Sequence, residues 1–296
     1  MTTRPIINSA DLRHEAEALA AGYPPLLARA RRLAANLSLG GHGRRRSGQG
    51  DEFWQYRAAG FGDGPRDIDW RRSAQSDAHF VRQKEWQVAQ SVHLWIDTSQ
   101  SMTYHSDAVA ETKGARAQAL GLATAILLLK AGERVGLMQD PSPPKHGISQ
   151  INTLALKLTQ DVDQADYGTP PQKSMGRNSR ALFLSDFLGD WDHLVAALGR
   201  AAEQNVQGCL VQVLDPSEED FPAQGRRIFE SMQGTVSFET MRAQGLREAY
   251  LERLADRCDK LERLSRKTGW RFLPHTTAQS AQTAMLWIYQ ALEVGL

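Results

Sequence analysis

Three short apolar runs in this chain each stop at an aspartate: Leu94-Trp95-Ile96 before Asp97, Leu182-Phe183-Leu184-Ser185 before Asp186, and Val211 to Leu214 before Asp215. After the first of them come two serines at alternate positions, Asp97-Thr-Ser99-Gln-Ser101, and then Met102. In an open α/β sheet, ligands bind outside the carboxyl ends of the strands, where such carboxylates project. A loop that leaves a strand and enters a helix can turn two hydroxyls and a carboxylate toward one point. Hydroxyl and carboxylate oxygens are hard donors suited to a divalent cation, and Mg²⁺ accepts few protein ligands alongside waters. Zinc is a poor match, because the eight histidines are scattered and no His/Cys group has zinc-ligand spacing. The plainer alternative for Asp97, Ser99 and Ser101 is helix N-capping, as it is for Asp186. The second strand-end carboxylate, Asp186, favours the cation reading. Asp215, just before Pro216, reads as a strand-ending turn rather than a ligand.

The elements that must position these residues follow from the hydropathy pattern. SVHLWI, RVGLM, a strand at 181–184, GCLVQVLD and GWRFLP read as strands. Between them run helices over 108–131, ISQINTLALKLTQDV, DWDHLVAALGRAAEQN and 245–268, with a last helix over 278–294. Strands alternating with helices at this spacing predict βαβ units and a mostly parallel sheet with helices on both faces, a Rossmann-like α/β fold. DPSPPKHG reads as a loop, and RRIFES with TVSFE as a small hairpin. Upstream, residues 10–37 read as two helices, LGGHGRRRSGQGDE as an exposed Gly/Arg loop, and FWQYR and HFVRQKEW as strands, with Trp54 and Tyr56 in their core. The expected organisation is an N-terminal helical segment with the Gly/Arg loop (1–45), a small β elaboration (46–88) and the α/β domain (89–296).

A length of 296 residues suits one main domain with an elaboration. A formal net charge of +1 gives no electrostatic case for nucleic acid, and Arg44-Arg45-Arg46 among glycines reads as a solvated loop. Two cysteines, Cys209 and Cys258, read as buried thiols in a reducing compartment. No apolar window approaches the roughly 20 residues that cross a bilayer, and the N-terminus lacks an apolar signal region. The expectation is a cytoplasmic protein without direct membrane insertion.

At this point the residues resemble a family. Asp-x-Ser-x-Ser after the first strand, with a later strand-end aspartate, is similar to the metal-ion-dependent adhesion site of von Willebrand factor A domains. The upstream stretch YRAAGFGDGPRDIDWRRSAQSDAHFVRQKEWQ resembles the signature preceding such a domain in the bacterial domain-of-unknown-function family 58. Arg66, Ile68, Asp69, Trp70, Ser73, Ala74, Val81, Arg82 and Glu85 match in place, whereas Gly62-Asp63-Gly64 departs from an acidic pair. The resemblance implies a von Willebrand factor A-like fold in which Ser99 and Ser101 bind the metal directly, Asp97 and Asp186 bind through water, and Thr169 comes from an intervening loop. It implies Mg²⁺, with Mn²⁺ or Ca²⁺ as alternatives, and an open position that an acidic side chain of a partner completes. It also implies a MoxR-type AAA+ ATPase, or its client protein, as partner.

Two rival functions stand beside this non-enzymatic interaction module. One is a Mg²⁺-dependent phosphohydrolase using Asp97 and Asp186, which lacks an obvious general base, His105 being the nearest histidine. The other is a structural scaffold whose metal site stays empty. For Arg66, Asp69 and Arg82, an ion-pair clamp anchored by Ile68 and Trp70 is expected.

Overall fold

The structure is a computed structural model that describes residues 47–48, 52–61, 63–74, 78–85, 89–147, 149–160, 165–221, 227–230, 237–240 and 243–293. The helices expected over 10–37 and the Arg44–Arg46 run lie outside these residues. The chain divides into two compact units, with the boundary between Ala89 and Gln90.

The smaller unit is built on an antiparallel sheet of order β1-β3-β2, from β1 (Ser47–Gly48), β2 (Glu52–Ala58) and β3 (Phe80–Glu85). Between β2 and β3 lies one short helix, α1 (Trp70–Ser73), which the sequence pattern did not predict. Asp69 explains it, since its Oδ1 accepts from Arg72 N at 3.1 Å and satisfies a backbone donor in the first turn. Asp69 Oδ2 also accepts from the Tyr56 hydroxyl at 3.1 Å. Of the expected clamp, Arg66 is exposed and the Arg82 side chain lies outside the described residues. Arg57 places a guanidinium fork on Asp63 in the same unit. The expected anchor Trp70 and the expected core residue Tyr56 also differ. Trp70 is 56% exposed, its Nε1 donating to Pro65 O, and Tyr56 is 39% exposed rather than core.

In the larger unit, β4 (Ser91–Ile96), α2 (Lys113–Lys130), β5 (Arg134–Leu137), α3 (Ser149–Gln160), β6 (Arg180–Ser185), α4 (Trp191–Glu203) and β7 (Gln207–Leu214) follow one another. Then come a short helix α5 (Pro216–Asp220), a hairpin of β8 (Arg227–Glu230) and β9 (Ser237–Thr240), the long α6 (Ala243–Thr268), β10 (Arg271–Thr276) and α7 (Ala281–Glu293). The main sheet has the order β10-β7-β6-β4-β5, and every pairing in it is parallel. Its three central strands, β4, β6 and β7, are buried almost end to end, which is why they read as continuous apolar runs rather than alternating ones. Side chains of alternating direction serve different faces. Trp95 and Phe183 meet edge to face at 5.3 Å and join a core with Leu194, Leu198, Leu261 and Trp270 from the α4 and α6 side. Ile96 and Leu184 face α2, where Gly121 leaves them room. Helices therefore cover both faces, as the sequence predicts for a Rossmann-like fold. Among the described residues no helix is long and apolar enough to cross a membrane.

Two expectations change in detail. The helix expected from 108 begins at Lys113, because Thr112 caps it by accepting from Ala115 N. The preceding segment is drawn away, with Ser106 N donating to Asp215 Oδ2 at 2.9 Å. The DPSPPKHG loop contains a two-way backbone bridge from Lys145 to Val135, at the free edge of β5.

Candidate functional site

The chain leaves β4 for β5 on one side and returns to β6 on the other. The carboxyl ends of β4 and β6 therefore flank a topological switch point, the place where open sheets of this kind bind ligands. Asp97 and Asp186 are the residues that end these two strands. Both are buried, at 2% and 0% exposure, and Asp97 N donates to Leu184 O at 2.9 Å across the strand pair.

Asp97 is held from several directions. Its Oδ1 accepts from Ser99 N at 2.9 Å and its Oδ2 from the Ser185 hydroxyl at 2.6 Å. Burial, and then the neighbouring charge of Asp186, raise its pKa above the ordinary carboxylate value. Past Ser99 the chain enters a single 3₁₀ turn, Gln100–Thr103, and Met102 is buried beneath it. That turn brings the Ser99 and Ser101 hydroxyls to 3.2 Å from one another, both side chains being almost wholly buried. The separation is close to the roughly 3 Å edge of an octahedron with Mg²⁺–oxygen distances of about 2.0–2.1 Å.

Asp186 sits in a tight turn after β6. Its Oδ1 accepts from Leu188 N at 3.0 Å, and its backbone carbonyl accepts from the buried Gln212 side chain on β7 at 2.9 Å. Phe187 adopts φ 52°, a left-handed conformation costly for a bulky residue. The turn is kept by the Ser185 hydroxyl, which accepts from Phe187 N, by Arg257, whose Nε donates to Phe187 O, and by burial of the ring against Trp95.

The intervening loop reaches the site through the residue before the expected one. Gln100 N and Ser101 N donate to Ala165 O and Asp166 O. Gly168 lies so close to Asp97 that a Cβ there would stand 2.2–2.4 Å from the carboxylate. Thr169 is the next residue and is exposed. Asp97, Ser99, Ser101 and Asp186 are thus gathered at one place, with Thr169 at the edge of the loop that covers them.

The sequence reading missed Lys113. It is fully buried, and its Nζ donates to Asp186 Oδ2 at 3.0 Å and to Glu218 Oε1 at 2.7 Å. Burial opposes its charge, but Asp186 and Glu218 together outweigh that and hold its pKa above the ordinary lysine value. A signal for it existed: a lysine at the first position of α2 opposes the helix dipole and needs an anionic partner. Glu218 is fixed by a reciprocal capping box with Asp215 at the start of α5, so Asp215 is a cap, as its place before Pro216 suggested.

The residues fit a divalent cation by their charge. Three carboxylates, Asp97, Asp186 and Glu218, share this buried region with one contacting ammonium. That leaves an excess of two negative charges when all are ionised. No group of three His, Cys, Asp or Glu side chains among the described residues is arranged to hold a metal, so a cation here would rely on the serine hydroxyls. Tyr104 and Tyr167, 36% and 42% exposed, flank the site. Lys113 Nζ lies 6.0 Å from the Tyr104 ring centre, and Tyr167 is shifted upward by burial and by Asp186. His105 is exposed and places Nδ1 on Ser106 O.

Comparison with known families gives a match over residues 55–260, more than half of the chain, to the family described as "Protein of unknown function DUF58". The chain belongs to the DUF58 family. Two solved structures are similar to this DUF58 chain. BatB from Bacteroides thetaiotaomicron is 14% identical, covering 71% of this chain and 100% of its own, with a TM-score of 0.39. An aerotolerance-related membrane protein from Bacteroides fragilis NCTC 9343 is 15% identical, covering 70% and 100%, with a TM-score of 0.36. No curated protein matches the chain.

Proposed function

We propose that this protein is a non-enzymatic, metal-dependent interaction module of von Willebrand factor A-like type, working in the cytoplasm as an adaptor or assembly factor with a MoxR-type AAA+ ATPase or its client. The observation that carries this reading is the convergence of the Ser99 and Ser101 hydroxyls with the Asp97 and Asp186 carboxylates at the switch point of the sheet. In this reading Ser99 and Ser101 hold Mg²⁺ directly, with Mn²⁺ or Ca²⁺ as alternatives, Asp97 and Asp186 support it through water, and Thr169 completes the set from the loop. The bound cation supplies an open coordination position that a carboxylate of the partner closes. The protein's own residues do the rest. Ser185 and Ser99 N aim Asp97, the strained Phe187 turn aims Asp186, and Gly168 roofs the crevice. Half-exposed Tyr104 and Tyr167 offer the amphipathic contact area that interfaces favour. A hydrolytic reading would need a general base at Asp97 and Asp186, and His105, the nearest histidine in the chain, is exposed and pairs its Nδ1 with Ser106 O rather than with either carboxylate.

Affinity capture from cells tests the proposal, using wild type in Mg²⁺, wild type in chelator, and Ser99→Ala/Ser101→Ala in Mg²⁺. An AAA+ ATPase recovered only in the first condition is the expected result. Undiminished recovery in chelator, or by the double variant, overturns it. Phosphatase turnover that requires Mg²⁺ and disappears in Asp97→Ala would replace it with the enzymatic reading.

A further inference from the structure

The crevice already contains a cation of its own. Lys113 Nζ contacts Asp186 Oδ2 at 3.0 Å and Glu218 Oε1 at 2.7 Å, with its side chain wholly enclosed. The close approach is built into the backbone. Gly114 packs against the 3₁₀ turn so tightly that a Cβ there would lie 2.9 Å from Met102 O. Lys113 N donates to Tyr104 O, fixing the start of the helix. Breaking a buried pair by removing one partner leaves an uncompensated charge, a far larger loss than the pair itself contributes. Among the other cations, Arg257 feels Asp186 electrostatically, but its guanidinium is engaged by the carbonyls of Phe187 and Gly189. Lys113 is therefore the ammonium in direct contact with the site.

We propose that Lys113 is a resident counter-cation with two effects: it keeps Asp186 and Glu218 assembled when no metal is bound, and by its charge it lowers the affinity of the crevice for a divalent ion. This inference rests on the reading of the crevice as a cation site and extends it. Lys113 makes the site metal-responsive rather than metal-requiring, since the folded crevice persists in the absence of metal and the ion is admitted beside a positive charge. The charge count fixes how variants rank. With Asp97, Asp186 and Glu218 ionised, the wild-type group carries −2, Lys113→Met carries −3, and Lys113→Met/Glu218→Gln returns to −2.

Thermal melting and calorimetric titration with Mg²⁺ and Mn²⁺ alone, on the full chain without partner, test this. The wild type is expected to fold and melt cooperatively in chelator and to gain from metal only the modest stabilisation that weak binding supplies. Lys113→Met is expected to melt lower in chelator, to recover with metal, and to bind metal about tenfold or more tighter than wild type, the scale of effect a unit charge exerts at a few ångströms in a partly buried site. The charge-balanced double variant is expected to fold without metal and to bind it about as wild type does, which keeps the test decisive if the single variant folds only with metal. Equal metal affinity in wild type and Lys113→Met overturns the inference and leaves the cation reading standing. Metal binding by neither chain overturns both. A double variant that fails to fold in chelator shows that Lys113 acts through something other than counter-charge.

Discussion

Gly168→Ala is the sharpest probe of how the crevice is roofed. A Cβ at this position would lie 2.2 Å from Asp97 Oδ1, 2.3 Å from Cγ and 2.4 Å from Oδ2, against an ordinary contact of 3.4–4 Å. One of the two must move by at least about 1 Å, and Asp97 is poorly placed to do so. Its carboxylate is tied to Ser99 N and Ser185 Oγ, and its backbone to Leu184 O. The loop on the other side is hemmed in as well, because Gly189 packs against Gly168 O. Forcing extra volume into such a place costs about 1–3 kcal/mol. At about 2–4 °C per kcal/mol for a domain of this size, that predicts a fall in melting temperature of roughly 4–8 °C for the middle of the range. Gly199→Ala is the matched control. Gly199 lies within α4, and a Cβ there meets nothing within 4 Å, so alanine should stabilise by roughly 0.5–1 kcal/mol through helix propensity. Urea unfolding of the three proteins decides the matter. Gly168→Ala within about 0.5 kcal/mol of wild type, with Gly199→Ala stabilised as expected, would refute the placement of the 165–169 loop on Asp97.

Other perturbations reach the same region and the core. Ser185→Ala removes the donor to Asp97 Oδ2 and the acceptor for Phe187 N, and each buried partner left unpaired costs about 1–3 kcal/mol. Denaturant unfolding should show the loss, and a change under about 0.5 kcal/mol would contradict that account. His93 and His275 are held down to about 4 from 6.5, His93 by burial and then Lys173, His275 by burial and then Arg116. Above pH 6.5 both are neutral folded or unfolded and contribute nothing. Between 6.5 and about 4 only the unfolded chain takes up the proton, so stability falls with pH by up to roughly 1.4 kcal/mol per unit for each histidine. His93→Gln should therefore lose about 2 kcal/mol less than wild type between pH 7 and pH 5 in urea titrations, and an unchanged pH slope would exclude His93 as a source.

Much of this architecture is legible in the chain itself, for a physical reason. Strands covered on both faces must be apolar throughout, and Asp97, Asp186 and Asp215 mark where each run meets the crevice. Helix starts depend on single contacts and are harder to read. The helix expected from residue 108 begins only at Lys113, because Asp215, more than a hundred residues away, captures Ser106. Lys113 itself went unread since its partners lie 73 and 105 positions distant, and periodicity carries no record of that. Trp70 and Tyr56 show the converse error. Aromatic content suggested burial, but their polar atoms are satisfied near the surface, by Pro65 O and by Asp69. The intervening loop meets Asp97 through Gly168, the residue before Thr169, and the lack of a side chain there is the relevant property.

The left-handed Phe187 has a consequence for how damage spreads. A glycine would take up that backbone geometry at no cost, but it could not be held there. The phenyl ring, wedged against Trp95 on the far side of the sheet, resists the turn's tendency to relax. The direction in which Asp186 points is thus stored in the hydrocarbon interior as much as in polar contacts. If the crevice binds a partner as proposed, a substitution that loosens Trp95, Phe183 or Trp270 would blunt recognition at a place it never touches, and a screen for lost binding would return interior alleles alongside those at the serines.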